Sequence, residues 1–375
     1  MDSNLLIDDG HRAKLIDKIP WLADVSQNSN YSNVELLSTM KYDPSLIRMT
    51  RKGEYEWAFP ITKLSTFKYL DENKFQTQVY SWLEDTQQVT TTTYHDDIKK
   101  AIEELVTSGK TIEINDDDNS LYYLYYFRFL LLGEQFVRLK LAASIFRRNF
   151  RLTLREFINN LVNAIYLDIY SNEQIPNDPI DKLKRLLDDT RTYKMRVLLK
   201  GDNSLEFQAH HLGVSDNGPT AEKLLFGEIL TFNTAAGSDD LWDVIVDSEP
   251  TPCSILTSLK TTSRDHYASA RRRMEHARTW LDISGKTEVL IWNDKEEIME
   301  GSITNIAILN KDGELVTPPL SSGCLCGTMR YYLMRKKLIK AETIEKNFLY
   351  ENQPILIFND VMGVIKGRIR FMPKV

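Results

Sequence analysis

The sequence is short of cysteine, of long apolar runs and of surplus positive charge, and each shortage closes off a class of function. Only Cys253, Cys324 and Cys326 occur in 375 residues. An odd count, with two of them one residue apart, argues against a disulfide framework and for a reducing compartment. Cys-x-Cys without a matching second pair is too little for zinc, so no metal is expected. The most apolar run, 121–132, contains Arg128 and is too short to cross a bilayer, so it reads as a buried segment. The opening MDSNLLIDDGHRAKL lacks the basic start, apolar core and small-residue site of a signal peptide. Its acidic residues also speak against a mitochondrial presequence, and a cytoplasmic protein is expected. Lys and Arg number 47 against 53 Asp and Glu, a net charge of −6 that offers nucleic acid no dominant positive field. What remains is an ordinary soluble composition, 42% hydrophobic and 27% charged, with length enough for two domains.

Read in order, the chain gives a first strand over 34–40, β-rich though poorly alternating. A polar stretch at about 45–125 follows, with Thr90 to Thr93 and Asp116 to Asp118 as runs and one helix at about 96–106. It reads as a surface insertion. Leu132, Phe136, Leu139 and Ala143 recur at helical spacing within 130–146. Thr153 and Glu156 form a capping-box pair that opens a helix with Leu154, Ile158, Leu161 and Ile165 on one face. A second packing helix lies near 181–189. Residues 194–199 and 205–209 flank a turn at 201–204 and read as a hairpin. His210 and His211 point opposite ways on a strand, so a shared metal is not expected.

The small, polar run 235–240 suits a linker, giving domains at 1–238 and 239–375. Beyond it, Trp242 opens a β-rich segment, Lys260 sits at the end of another, and Arg271, Arg272 and Arg273 read as a solvated helix face. Pro354 to Asn359 is an apolar strand. No internal repeat is apparent.

The most informative string is 300–330, EGSITNIAILNKDGELVTPPLSSGCLCGTMR. Ile303, Ile306 and Ile308 mark a strand, 310–313 a turn ending in Gly, Thr317-Pro318-Pro319 a stop, and 323–327 a Gly-flanked turn that opens a helix at Thr328. Such a turn presents backbone N–H groups and a positive dipole end to an anion.

An acidic residue, Asn five positions on, Asp-Gly, Thr-Pro and Gly-x-x-Arg together resemble the signature of the fold-type IV pyridoxal-phosphate (PLP) enzymes. These are branched-chain aminotransferases, D-amino-acid aminotransferases and aminodeoxychorismate lyases. Other segments match in family order. VELLSTMKYDP resembles a lyase opening strand in which Thr39 would face the substrate. Arg138-Leu-Lys-Leu-Ala-Ala resembles the helix whose Arg reaches the cofactor phosphate, a task that suits a planar two-pronged donor. Lys260-Thr-Thr-x-Arg-x-x-Tyr resembles the surroundings of the PLP-binding lysine. Asn359 and Asp360 fall on a strand-to-turn segment near the phosphate.

The resemblance implies an α+β, two-domain fold with a small N-terminal α/β domain and a larger, β-rich C-terminal domain. PLP must be held covalently, anchored by its phosphate and tuned electronically. Lys260 would carry it covalently and also move a proton; burial beside cations would lower the pKa of its amine. Glu300 would pair with the ring nitrogen. Arg138, Asn305, Thr328, Met329, Asn359 and Asp360 would complete the cofactor site. Thr39 would serve with Lys260 in catalysis, and Arg264, Tyr267 and Arg330 would lie toward the substrate.

Three features favour a lyase over a transaminase: the Thr39 strand, the Lys-Thr-Thr-x-Arg-x-x-Tyr motif and the Leu325-to-Arg330 turn. The insertion and the 360–363 ending are similar to the fungal lyases, which convert 4-amino-4-deoxychorismate to 4-aminobenzoate and pyruvate for folate synthesis. The match is patchy before Phe127 and close from Trp242 onward. A branched-chain or D-amino-acid transaminase is the alternative, and a catalytically silent scaffold the alternative from another class. A scaffold would need neither Lys260 nor Glu300. The resemblance also implies a homodimer acting on a small molecule, with no nucleic acid or membrane partner.

Overall fold

A computed structural model describes residues 16, 19–26, 31, 33–49, 55–57, 111–112, 118–171, 176–214, 223–230, 232 and 241–372. The expected helix at 96–106, the linker at 235–240 and most of the insertion lie outside them. The chain is an α+β protein of two compact units. One takes in the described residues of 1–34 and 226–375, the other those of 35–79 and 99–225.

The unit within 35–225 is built on strands β1 (Leu36–Tyr42), β5 (Arg191–Leu199) and β6 (Leu205–Val214), antiparallel in the order β1-β5-β6. A smaller sheet joins β2 (Ile47–Met49), β3 (Tyr55–Trp57) and β4 (Thr111–Ile112). Helix Leu132–Ile145 packs on β1 and helix Leu154–Ile169 on β6. The second helix starts where Thr153 and Glu156 cap each other, and it buries Leu154, Ile158, Leu161 and Ile165. Phe157 meets Phe207 edge-on at 5.5 Å, one link in the aromatic packing between helix and sheet. The hairpin turn closes with Lys200 N–H on Ser204 O at 2.9 Å. Helix Asp118–Arg128 carries most of the apolar run, and its Arg128 is buried. That cation donates to Leu186 O at 3.2 Å and Leu187 O at 2.8 Å, just past helix Pro179–Arg185. Helix C-terminal carbonyls carry partial negative charge, which is why one Arg is tolerated in an otherwise greasy segment.

The second unit holds an eight-stranded sheet in the order β12-β11-β10-β13-β14-β7-β8-β9. The strands are β7 (Trp242–Val246), β8 (Thr287–Trp292), β9 (Ile298–Gly301), β10 (Asn305–Leu309), β11 (Leu315–Thr317), β12 (Lys340–Ala341), β13 (Pro354–Asn359) and β14 (Gly363–Phe371). β7 runs parallel to both β14 and β8, β12 parallel to β11, and the remaining pairs are antiparallel. Val244, Leu290, Ile306, Ile308, Ile355, Ile357 and Ile369 form the core beside it. β13 is buried at four successive positions, Ile355 to Phe358, as a strand covered on both faces must be. The 310–313 turn closes on Gly313 at φ 78, with Asn310 Oδ1 accepting from Asp312 and Glu314 N–H.

Two sequence expectations need correction here. Lys260 does not follow a strand: residues Ile255–Ser258 form a short helix. Ser254 Oγ accepts from Thr257 N–H and Thr257 Oγ1 from Ser254 N–H, a capping box that overrides the β propensity of the run. Nor is Arg273 simply solvated. It grips the buried Asp247 through two bonds of 2.7 Å and also meets Glu249 at 2.9 Å, fastening helix Asp265–Trp280 to the end of β7.

Candidate active site

Glu300 is the centre of the cluster. It lies on β9, 2% exposed, where the carboxyl is pushed up to about 8. Desolvation is the main cause. Hydrogen bonds from Tyr267 and the Leu325 backbone, and the charges of Arg264 and Lys260, work the other way without cancelling it. Oε1 accepts from the Tyr267 hydroxyl, and Oε2 from Asn305 Nδ2 at 3.1 Å. Tyr267, on helix Asp265–Trp280, is itself held well above the usual phenol range, first by burial and then by Glu300. The Arg264 guanidinium stacks 4.3 Å from the Tyr267 ring centre and donates to Ser302 O. A carboxyl this costly to ionise is suited to a cationic partner.

Asn305 joins this carboxyl to the anion-capable turn. Besides Glu300, its Nδ2 donates to Leu325 O at 3.1 Å. A Cβ added at Gly327 would lie 1.8 Å from Asn305 Oδ1, so any side chain there would displace the Asn305 amide. Gly327 begins helix Thr328–Arg335 without a side-chain cap, and Thr328 and Met329 follow, both buried. Gly323 earlier in the turn has φ 91, and a Cβ there would meet Cys253 Sγ at 2.5 Å. The glycines at 323 and 327 are therefore set by close approach. Among the described residues no cluster of His, Cys, Asp and Glu is arranged to hold a metal.

The structure gathers Lys260, Arg264, Tyr267, Glu300 and Asn305 around one buried carboxyl. Lys260 is half-buried in the link between helices Ile255–Ser258 and Asp265–Trp280. Other expected residues have visible second duties. Arg330 donates through Nε at 3.2 Å and Nη2 at 2.8 Å to Pro318 O, holding the 317–319 stop. Asn359 Oδ1 accepts from Val361 and Met362 N–H, both 2.9 Å, and its Nδ2 donates to Ile303 O at 3.1 Å. Asp360 is buried beside it.

In the other unit, Thr39 and Arg138 are tied together by a residue the sequence did not single out. Gln135 Nε2 donates to Thr39 O at 3.0 Å, while its Oε1 accepts from Ser38 Oγ at 2.5 Å and Arg138 Nη2 at 2.7 Å. All four residues are buried. Gln135 lies three residues before Arg138 on the same helix face, a spacing that could have flagged it.

The residues fit PLP by their chemistry. A buried acid whose desolvation the nearby Arg264 and Lys260 charges do not cancel suits a protonated ring nitrogen, an uncapped helix start at a tightly packed glycine suits a phosphate, and a half-buried lysine is close enough for its charge to act on that acid.

Comparison with known proteins places the class first. The family model described as amino-transferase class IV matches residues 222–368. The Escherichia coli branched-chain amino acid aminotransferase has a similar structure, with a TM-score of 0.44 at 16% identity over 64% of this chain and 71% of that one. The aminodeoxychorismate lyase of Saccharomyces cerevisiae is 32% identical over 359 residues, 90% of this chain and 93% of the relative. A Schizosaccharomyces pombe protein provisionally named for the same activity is 28% identical over 138 residues, 36% of this chain and 57% of that one. The chain belongs to the aminodeoxychorismate lyase family, within the fold-type IV class.

Proposed function

We propose that this chain is a PLP-dependent lyase that converts 4-amino-4-deoxychorismate to 4-aminobenzoate and pyruvate. The observation that carries the reading is the match to the yeast lyase over nine-tenths of the chain. The Glu300 cluster supports it, because the reaction needs an acid able to face a cationic ring. When bound, PLP supplies the electron sink that makes a carbon-bound proton removable. Lys260 would hold the cofactor and would be the base for the proton on the amine-bearing ring carbon. Glu300 would pair with the ring nitrogen, its own two oxygens held by Tyr267 and Asn305. The N–H groups of Thr328 and Met329 would answer the phosphate, with Asn359 and Asp360 shaping the neighbouring turn. Thr39 or Lys260 hands a proton to the departing enolpyruvyl group, and Arg264 and Arg330 lie toward the substrate. Aromatisation of the ring drives the release.

A direct assay tests the whole reading. Purified protein with PLP and 4-amino-4-deoxychorismate should release 4-aminobenzoate and pyruvate in equal amounts. Transamination of branched-chain or D-amino acids that outpaces this release would overturn it. The finer readings are a cytoplasmic homodimer and domains meeting near 238. Sedimentation at assay concentration tests the dimer, and a purely monomeric active enzyme would remove it. Among the described residues no helix is long and apolar enough to cross a membrane.

Two substitutions test single assignments. By resemblance Arg138 reaches the cofactor phosphate, so Arg138→Ala should weaken PLP affinity at least tenfold, in line with about 2–5 kcal/mol for one partner of a buried charge pair. Titration of the apo-protein with PLP reads this. Unchanged affinity would leave Arg138 with a structural role such as its bond to Gln135. Thr39→Ala should lower turnover by about 10²-fold if its hydroxyl is the proton donor, with PLP absorbance unmoved. Its backbone bond to Gln135 does not use the hydroxyl, so the strand should persist. Wild-type turnover would assign both proton transfers to Lys260.

A further inference from the structure

Glu288, on β8, has no place in the assignments above, yet its carboxylate is buried to 2% exposure. Five donors converge on it. Oε1 accepts from Val289 N–H at 2.9 Å, Ser302 N–H at 3.0 Å and Ser302 Oγ at 2.6 Å. Oε2 accepts from Ile303 N–H at 3.1 Å and Thr304 Oγ1 at 3.0 Å. Every partner is a donor, the pattern an acceptor-only carboxylate demands, and none is a cation. Burying such a group is costly, and hydrogen bonds to the charged form are what offset it. An apolar residue at 288 would spare the core that cost but would strand the Ile303 N–H and two hydroxyls.

All but one of these donors belong to 302–304, the turn that joins Glu300 to Asn305. Gly301 begins the turn, and a Cβ there would stand 2.3 Å from Thr304 Oγ1 and 2.9 Å from Glu288 Cδ. Glycine thus leaves room for the Thr304 hydroxyl first and the Glu288 side chain next to it. The turn is also held from outside: Arg264 Nη2 donates to Ser302 O, and Asn359 Nδ2 to Ile303 O at 3.1 Å. Its shape decides where Asn305 Nδ2 meets Glu300 Oε2 and where Arg264 rests on the Tyr267 ring.

The geometry points to Glu288 as a positioning residue: it builds the 301–304 turn and through it sets the hydrogen bond and the charges that face Glu300. The inference rests on Glu300 being the partner of the cofactor's ring nitrogen. The groups facing Glu300 are Tyr267, Arg264 and Lys260 on the helical side and Asn305 and the Leu325 backbone from the other strand and turn. Displacing the turn should alter how they act together.

The test uses full-length protein, apo and loaded with PLP. The readings are PLP affinity, the pH midpoint of bound-PLP absorbance between about 330 and 420 nm, and the thermal melt. Glu288→Gln puts an amide where the Ile303 N–H needs an acceptor. It should still melt cooperatively, bind PLP at least tenfold more weakly, and move the absorbance midpoint in the direction that Asn305→Ala moves it. The double variant should bind PLP less weakly than the product of the two single effects, since both disturb the contact of Asn305 with Glu300. A folded Glu288→Gln protein with wild-type affinity and midpoint, or effects that simply add, would overturn the inference. If Glu288→Gln does not fold, Thr304→Val removes one donor with little change of shape. The same shift in smaller measure supports the inference, and unchanged readings overturn it. Glu300→Gln separates the two ideas. If it leaves the midpoint unmoved, the ring-nitrogen reading falls and this one with it. If it moves the midpoint while the Glu288 and Thr304 variants do not, only the positioning role falls.

Discussion

Lys260→Ala is expected to abolish 4-aminobenzoate release, by at least about 10⁴-fold, and to remove the covalent attachment of PLP. The size follows from two duties on one side chain. In the proposed mechanism the residue both carries the cofactor and moves the substrate proton, so its loss would remove an attachment and a base together, and such losses are not recovered by a neighbour. Its surroundings suit those duties. It sits half-buried in a link whose preceding helix is fixed by the Ser254–Thr257 box, and whose Ser258 accepts from Trp21 Nε1 at 2.8 Å and, through its carbonyl, from Cys326 N–H at 3.0 Å. The backbone that leads into Lys260 is therefore anchored at Ser258 by two separate segments of the chain. Borohydride reduction of the loaded protein, followed by peptide mapping, should place the stable label on Lys260 and nowhere else. A label on another lysine, or intact activity in the variant, would overturn the cofactor assignment and the lyase reading with it.

Much of this framework was legible before any coordinates, and the parts that were not share a cause. Helix Leu154–Ile169 and strands Trp242–Val246 and Pro354–Asn359 appear where local pattern placed them, because capping residues and unbroken apolar runs act over a few neighbours. The Lys260 segment reads as β-rich because Ile255 and Thr257 are β-branched, while the deciding bonds come from Ser254 and Thr257. Arg273 read as solvent-facing because its partner Asp247 lies 26 residues away. Glu288 and Gln135 were passed over for the same reason. One is defined by a turn 14 to 16 residues on, the other by a strand about 97 residues back. The sheet order was equally hidden, since β7 lies between β14 and β8 and only long-range burial sets that arrangement. In the site, residue types were readable because the motif is local, but the support of Glu300 by Tyr267 and Asn305 is a fact of three-dimensional contact.

Glu300→Gln is expected to have opposite effects on apo-protein stability and on turnover, and the contrast identifies the role. In the folded apo-protein the carboxyl is raised to about 8, above its ordinary value of 4.5, chiefly by burial. An acid raised on folding costs stability wherever the unfolded chain is ionised. No cost exists below pH 4.5; it grows as pH rises toward about 8 and is then constant. Glutamine carries no such cost. The stability of the apo variant relative to the apo wild type should therefore rise by a few kcal/mol in order of magnitude between pH 4.5 and 8. With PLP loaded, the ionised acid gains the ring nitrogen as partner and the wild type should recover the lost stability. Turnover moves the other way. Glutamine cannot answer a protonated ring with charge, and removing such an electrostatic contact costs about 10²–10³-fold. Thermal melts of both proteins across this pH range, with and without PLP, and turnover at saturating PLP measure the two arms. A variant whose apo stability relative to wild type does not change between pH 4.5 and 8, and which is as active as wild type when loaded, would mean that the buried carboxyl serves neither ring nor charge, and that Tyr267 and Asn305 hold a structural group.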